Sequence, residues 1–336
     1  MGDEQPFLPG IRDAKEIPKA SARPWIEGSA AALVVAFAPP LRLGLDRLSH
    51  TTQQPRIEKP KMKGIQCKNI VSLRNFLELV SSDTKDWTRD GFAKPWFRGV
   101  TNAATHKLVP SVFRGDFKEH EFQLTKKFRL MAPGFGATPD TGRIDQWLFL
   151  MQHHRVPTRL LDWTESPLIA AFFAAEKAAQ TDNVENDAAI YGLDPIAMNK
   201  ESEPDFSFFP NTWTDNPTTQ RIQFAFGTDA DRACIMSNRK GPLELPHAIY
   251  PSNVHSRISS QRSCFTLHGS DERDFGSMFE GKLLITNRRL IKYHIPAEQV
   301  PNMLRDLSDL GITYGAVFPD LDGLARELRY GFDIKG

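Results

Sequence analysis

The sequence predicts one α+β domain of the α/β type, a mixed or antiparallel central sheet flanked by helices, preceded by a disordered N-terminal arm. Three observations carry this reading. Helix-like and strand-like stretches alternate from Ile70 onward. The composition, 40% hydrophobic and 25% charged, is that of a globular chain able to bury a core. Residues 1–61 hold eight prolines and little periodicity, as a poorly ordered arm or linker does. The folded domain is therefore expected over residues 62–336.

The elements follow in order. Val71, Leu73, Phe76, Leu77, Leu79 and Val80 recur near helical spacing with Ser72 as N-cap. Pro95 to Val100 reads as a short strand, because bulky aromatics suit a pleated surface and Gly99 interrupts it. Ile144, Trp147, Leu148 and Met151 form an amphipathic stripe running into Gln152-His153-His154, and Val156-Pro157 ends that helix. Thr164 or Ser166 caps the next helix, with Pro167 in its first turn. Ala188 to Leu193 is a strand closed by Asp194-Pro195, and residues 200–245 read as a long irregular insertion. Strands are expected over Ile249 to His255, Ser263 to His268, Leu283 to Thr286 and Leu290 to Ile295. In the second of these Phe265 and Leu267 face one way, Thr266 and His268 the other. Val300, Met303, Leu304, Leu307 and Leu310 make a helix stopped by Gly311. Thr313 to Phe318 reads as a final strand, followed by a short helix from Leu321.

Charge and cysteine usage exclude several classes. With 42 Lys plus Arg against 41 Asp plus Glu, no global field draws the chain to nucleic acid or an anionic membrane. Cys67, Cys234 and Cys264 lie far apart, fitting neither a disulfide framework nor a zinc site, and a reducing, cytoplasmic setting follows. Ala30 to Ala38 is the longest apolar run and falls far short of the ~20 residues of a membrane span. Ala36-Phe37-Ala38 mimics a signal cleavage site, but acidic residues are scattered ahead of it.

Chemistry concentrates between Gln152 and Pro167, where eleven of sixteen side chains can hydrogen-bond or carry charge beside an apolar helix. Core packing does not require this density. Taken singly, each residue has an ordinary reading: Arg159 and Asp162 as an ion pair, Thr164 and Ser166 as caps, His153 and His154 satisfied by backbone. Together they read as a site. Arg98 joins them as a fork suited to phosphate or carboxylate, and Gly99 beside it allows a ligand or another backbone to come close. Arg257, Gln261 and Arg262, on the approach to a strand, add polar groups.

Trp96-Phe97-Arg98-Gly99, Leu108 to Arg114, the Gln152 to Pro167 run with Phe172-Phe173-Ala174, Asp187 to Ile190, Gln261 to His268 and Phe318 to Leu324 together resemble the FRG domain, a bacterial family named for its aromatic-Arg-Gly signature. The likeness spans most of residues 70–325. Arg155-Val156 departs from the family's usual Gly-Leu, which weakens the case for a tight turn after His154 without endangering the resemblance. More distantly, the order of parts is similar to that of arginine-type ADP-ribosyltransferases. That resemblance implies nucleotide binding with NAD as substrate rather than as a permanently bound cofactor, transfer to a protein or nucleic-acid acceptor, no membrane role, and defence or toxin biology. It places catalytic roles on Arg98, Asp162, Thr164, Glu165, Ser166 and Gln261. It places nucleotide contacts on Arg98, Gly99, Gln152, His153, His154, Thr158, Arg159 and Arg257. Gln261 is neutral where such enzymes carry a glutamate, so either Asp162 or Glu165 meets the positive charge developing at the sugar carbon, or the fold binds a nucleotide without cleaving it. Two other classes remain open: a non-enzymatic ligand-sensing or interaction module, and a metal-dependent hydrolase using His153 or His154 with Asp162.

Overall fold

The structure is a computed structural model that describes residues 64–87, 94–176, 185–202, 211–212, 244–251 and 256–332. The chain separates into Met1–Ile57, which lies outside the described residues together with the rest of the expected arm, and Glu58–Gly336, which carries every element below. The expected insertion also falls largely outside them.

In chain order the elements are β1 (Gln66–Asn69), α1 (Leu73–Asp83), β2 (Trp96–Val100), α2 (Glu121–Met131), α3 (Ile144–His153), β3 (Leu160–Thr164), α4 (Pro167–Ala175), β4 (Ala188–Leu193) and α5 (Pro195–Ser202). They continue with β5 (Asn211–Thr212), β6 (His247–Tyr250), α6 (Ser256–Ser260), β7 (Ser263–Leu267), α7 (Phe275–Met278), α8 (Leu283–Thr286), β8 (Leu290–Ile295), α9 (Val300–Asp309), α10 (Tyr314–Val317) and α11 (Leu321–Gly331). The described strands form one mixed sheet in the order β1-β8-β4-β2-β3-β7-β6-β5. β1 with β8 and β5 with β6 run parallel, and the other pairs are antiparallel. The fold is therefore α+β with helices against the sheet.

Strand alternation divides the core between the two faces. On one face Phe97, Ile190 and Tyr293 pack with Phe76, Phe172, Met303, Leu307 and Tyr314 from α1, α4, α9 and α10. Farther along that face, Leu160 and Phe265 meet Leu148 and Phe149 of α3. On the other, Trp96, Leu161, Trp163 and Tyr191 pack with Met198, Phe275 and Leu284 from α5, α7 and α8. β2 and β3 pair at only one position, Phe97 with Thr164, whereas β2 pairs with β4 along five residues. The sheet consequently gapes between β2 and β3, and α3 and α4 stand on either side of that opening.

Local chemistry explains the helix ends. Ser72 accepts from the Asn75 amide, Ser166 accepts from the Ile169 amide with Pro167 in the first turn, and Gly311 follows α9 at φ +78. The expected strand at Leu283 to Thr286 is instead α8: Leu284 and Ile285 are buried as neighbours while Leu283 is exposed, so no two-residue alternation exists. The expected strand at Thr313 to Phe318 is likewise α10, capped by the Thr313 hydroxyl, with Tyr314 and Val317 buried at helical spacing. Short apolar runs fit either period, and packing chose between them. The strand expected from Ile249 to His255 begins earlier, at His247, and ends at Tyr250, with residues 252–255 outside the described ones.

The turn after His154 is tight even with Arg155-Val156 in it. Arg155 donates its amide to the Gln152 carbonyl and Val156 to the Met151 carbonyl, both at 3.0 Å, the double bond of a Schellman turn. Arg155 meets the turn's demand by adopting φ +59 without being glycine.

Candidate functional site

The gape between β2 and β3 opens into a cleft of about 430 Å³. Arg98, Gly99, Gln152, His153, Asp162, Thr164, Arg257 and Gln261 all line it. Residues separated by more than 150 positions in the chain are thus brought to one hollow. Also on its walls are Lys107, Arg114, Arg155, Phe149, Phe173, Glu176, Phe265 and Phe318, none of which was given a catalytic or nucleotide-binding role from the sequence.

Arg98 anchors the site from the strand gap. A fully paired sheet would engage the Asp162 carbonyl through backbone; here the Arg98 Nη1 donates to it at 2.6 Å and lies 3.7 Å from the Asp162 carboxylate. Burial lowers the Arg98 pKa, partly offset by Asp162, and neighbouring Arg114 lowers it further. Arginine nevertheless keeps its charge. The Nε atoms of both Arg98 and Arg257 are buried without a hydrogen-bond partner among the described residues. Arg257 otherwise bonds Asp320 at 2.7 Å and lies over the Phe318 ring.

Asp162 is the exposed residue in a strand whose other four are buried. Its Oδ2 accepts from Gln152 Nε2 at 2.9 Å, and the Gln152 Oε1 accepts in turn from the buried Thr158 hydroxyl. That chain orients the carboxylate toward the opening.

Several sequence candidates serve the fold instead. Arg159 forks onto Glu121 with two 2.7 Å bonds and caps the Gly269 carbonyl, so its ion partner is Glu121 and not Asp162. The Thr164 hydroxyl donates to the Gln261 carbonyl at 2.7 Å and accepts from the Ser166 amide, while Ser166 caps α4. Glu165 lies outside the cleft lining, held by Tyr250, Arg262 and Lys94. His154 and Thr158 are also outside it, and the His154 ring stands edge-on to His153. Gly99 makes room for backbone rather than ligand: a Cβ there would meet the Ala170 carbonyl oxygen at 1.9 Å. His268, fully buried against Phe275, also stands apart, and burial pushes its pKa down to about 3.

Among the described residues no group of three His, Cys, Asp or Glu side chains is placed to hold a metal ion, and no helix is long and apolar enough to cross a membrane. The described cysteines, Cys67 and Cys264, are free thiols.

These features define an α+β protein with an arginine-floored cleft at a split in its sheet. Residues 93–183 match the family model of the FRG domain, and this part of the chain is an FRG domain. The matched span holds Arg98, Gln152 and Asp162, while the Arg257, Gln261 and Phe318 wall comes from chain beyond it. No curated protein and no solved structure matches the chain.

Proposed function

We propose that the cleft binds a nucleotide through its phosphates and that the chain is an ADP-ribosyltransferase-like enzyme acting on NAD. The observation that carries this reading is a cleft where five Lys and Arg side chains line the wall with two carboxylates, Asp162 and Glu176, and where the Nε atoms of Arg98 and Arg257 are buried without a hydrogen-bond partner among the described residues. Guanidinium forks suit phosphate oxygens, and Phe149, Phe173, Phe265 and Phe318 offer aromatic faces for a base. The volume is that of an ordinary small-ligand pocket, ~300 to 1,000 Å³.

In this reading the glycosidic bond between ribose and nicotinamide breaks, and its electron pair leaves with the neutral nicotinamide. Asp162, oriented by Gln152, faces the positive charge left on the sugar carbon. The acceptor's nucleophile then bonds that carbon and releases its proton. Asp162 is favoured over Glu165 because Glu165 is committed to Tyr250 and Arg262.

The test is nicotinamide release from NAD, with ADP-ribose affinity measured by calorimetry, for the wild type, Arg98→Ala and Asp162→Asn. We expect Arg98→Ala to weaken ADP-ribose binding by at least about tenfold, and Asp162→Asn to lose turnover while still binding. A wild type that neither binds ADP-ribose nor releases nicotinamide refutes the proposal. Binding without turnover favours the second reading, a ligand-sensing module, which the structural commitment of Thr164, Ser166 and Glu165 supports.

A further inference from the structure

One strained residue lines this cleft. Arg155 occupies the position after the cap of α3 at φ +59, in the left-handed region where an L side chain crowds its own carbonyl and glycine sits freely. The two Schellman hydrogen bonds hold it there. Asparagine, the usual substitute, relieves the strain with a short polar side chain; arginine has no such means.

Left-handed backbone alone does not mark a site. Arg262, at φ +47, turns its side chain to the fold by pairing with Glu165, and Arg288, at φ +55, lies away from the cleft. Arg288 closes α8 with the same pair of hydrogen bonds, its own amide to Ile285 and the next to Leu284, and like Arg155 makes no ion pair with a described carboxylate; Arg155 differs from both in its place on the cleft wall. Its exposed side chain makes no ion pair with a described carboxylate, and it lines the same hollow as Arg98 and Arg114. A cation with no ion partner among the described residues, on the wall of a cation-rich cleft, is placed to meet an anion from outside the chain.

We propose that Arg155 is a ligand-anchoring residue that binds the phosphate portion of the bound nucleotide, completing a cationic cradle with Arg98 and Arg114. This rests on the nucleotide reading of the same cleft. The strain is then the counterpart of delivering a guanidinium at the turn, one residue beyond the cap of α3, where glycine would leave the cradle open on that side.

The two roles predict effects of opposite sign. In the full chain, Arg155→Gly should raise Tm by on the order of 2 °C and weaken ADP-ribose binding by about tenfold in calorimetry. Inorganic pyrophosphate, as a probe without base or ribose, should lose affinity by a similar factor. Arg155→Lys, which keeps charge without the fork, should melt like the wild type and bind ADP-ribose with intermediate affinity. An Arg155→Gly variant that binds both probes as tightly as the wild type overturns the inference. If Arg98→Ala loses affinity in the same series, the nucleotide reading survives that result. A wild type that binds neither probe sinks both.

Discussion

Gly99→Ala tests whether α4 is pinned to the sheet by contact with bare backbone. A Cβ at position 99 would lie 1.9 Å from the Ala170 oxygen and 2.6 Å from the Ala174 nitrogen, both main-chain atoms that no rotamer change can move aside. Restoring ordinary contact requires α4 to recede by about 1.5 Å. That helix buries Ala170, Ala171, Phe172, Ala174 and Ala175, each no more than 1% exposed, so its withdrawal opens contacts with the sheet and crowds α9, which packs against it. Overpacking alone costs ~1 to 3 kcal/mol, and the opened contacts add to it. We expect a loss of about 3 kcal/mol or more, equivalent to a fall in Tm of roughly 6 to 12 °C for a domain of this size. Urea and thermal denaturation measure it, with Gly134→Ala as control, since nothing lies within 4 Å of a Cβ there. The control should change stability by less than about 0.5 kcal/mol. If Gly99→Ala costs less than about 1 kcal/mol, the close approach of α4 is not what glycine secures.

Two further outcomes separate structure from site. Glu121→Gln breaks the fork on Arg159, whose side chain is only 13% exposed, and should destabilise by about 3 kcal/mol in urea titration; the folded fraction should bind ADP-ribose like the wild type, and weakened binding would return Arg159 to the site. Burial holds His247 near pKa 4 and His268 near 3, so the unfolded chain takes up protons below pH 6.5 that the folded chain refuses. Stability is thus complete above that pH and falls as pH drops toward the folded values, by about 3 kcal/mol at pH 5.5 for the two together. Urea midpoints at pH 7.5 and 5.5 read this loss, which should shrink in His268→Gln; equal midpoints in the wild type would show that neither imidazole is held neutral.

Much of the fold was legible because local signals and packing agree. Ser72, Ser166-Pro167 and Gly311 mark helix ends that the structure keeps, and Phe265 and Leu267 face α3 while Cys264 faces the opposite core, as alternation requires. Two of the failures share one cause. Leu283 to Thr286 and Thr313 to Phe318 are four to six residues long, too short for period two to differ from period 3.6. β3 stayed hidden for another reason: the alternation of Leu161 and Trp163 with Asp162 and Thr164 is a strand pattern, but its polar members drew attention to chemistry first.

The candidate site was only half legible, and the sorting principle is hydrogen-bond commitment rather than residue type. Within the Gln152 to Ser166 run, Thr158, Arg159, Thr164, Glu165 and Ser166 all hold backbone or ion partners that the fold needs. Gln152 and Asp162 hold each other at the opening, and Arg98 reaches them only because β2 and β3 part after a single pair. No linear pattern announces that parting. Lys107, Arg114, Phe173 and Phe318 became wall residues through topology alone, since each reads locally as surface charge or core. Arg155 is the exception that sequence chemistry could have flagged. A long cation in a left-handed helix-ending turn is strained, and Arg288 shows that the fold tolerates this away from any cleft; what sets Arg155 apart is that its turn lies on the cleft wall.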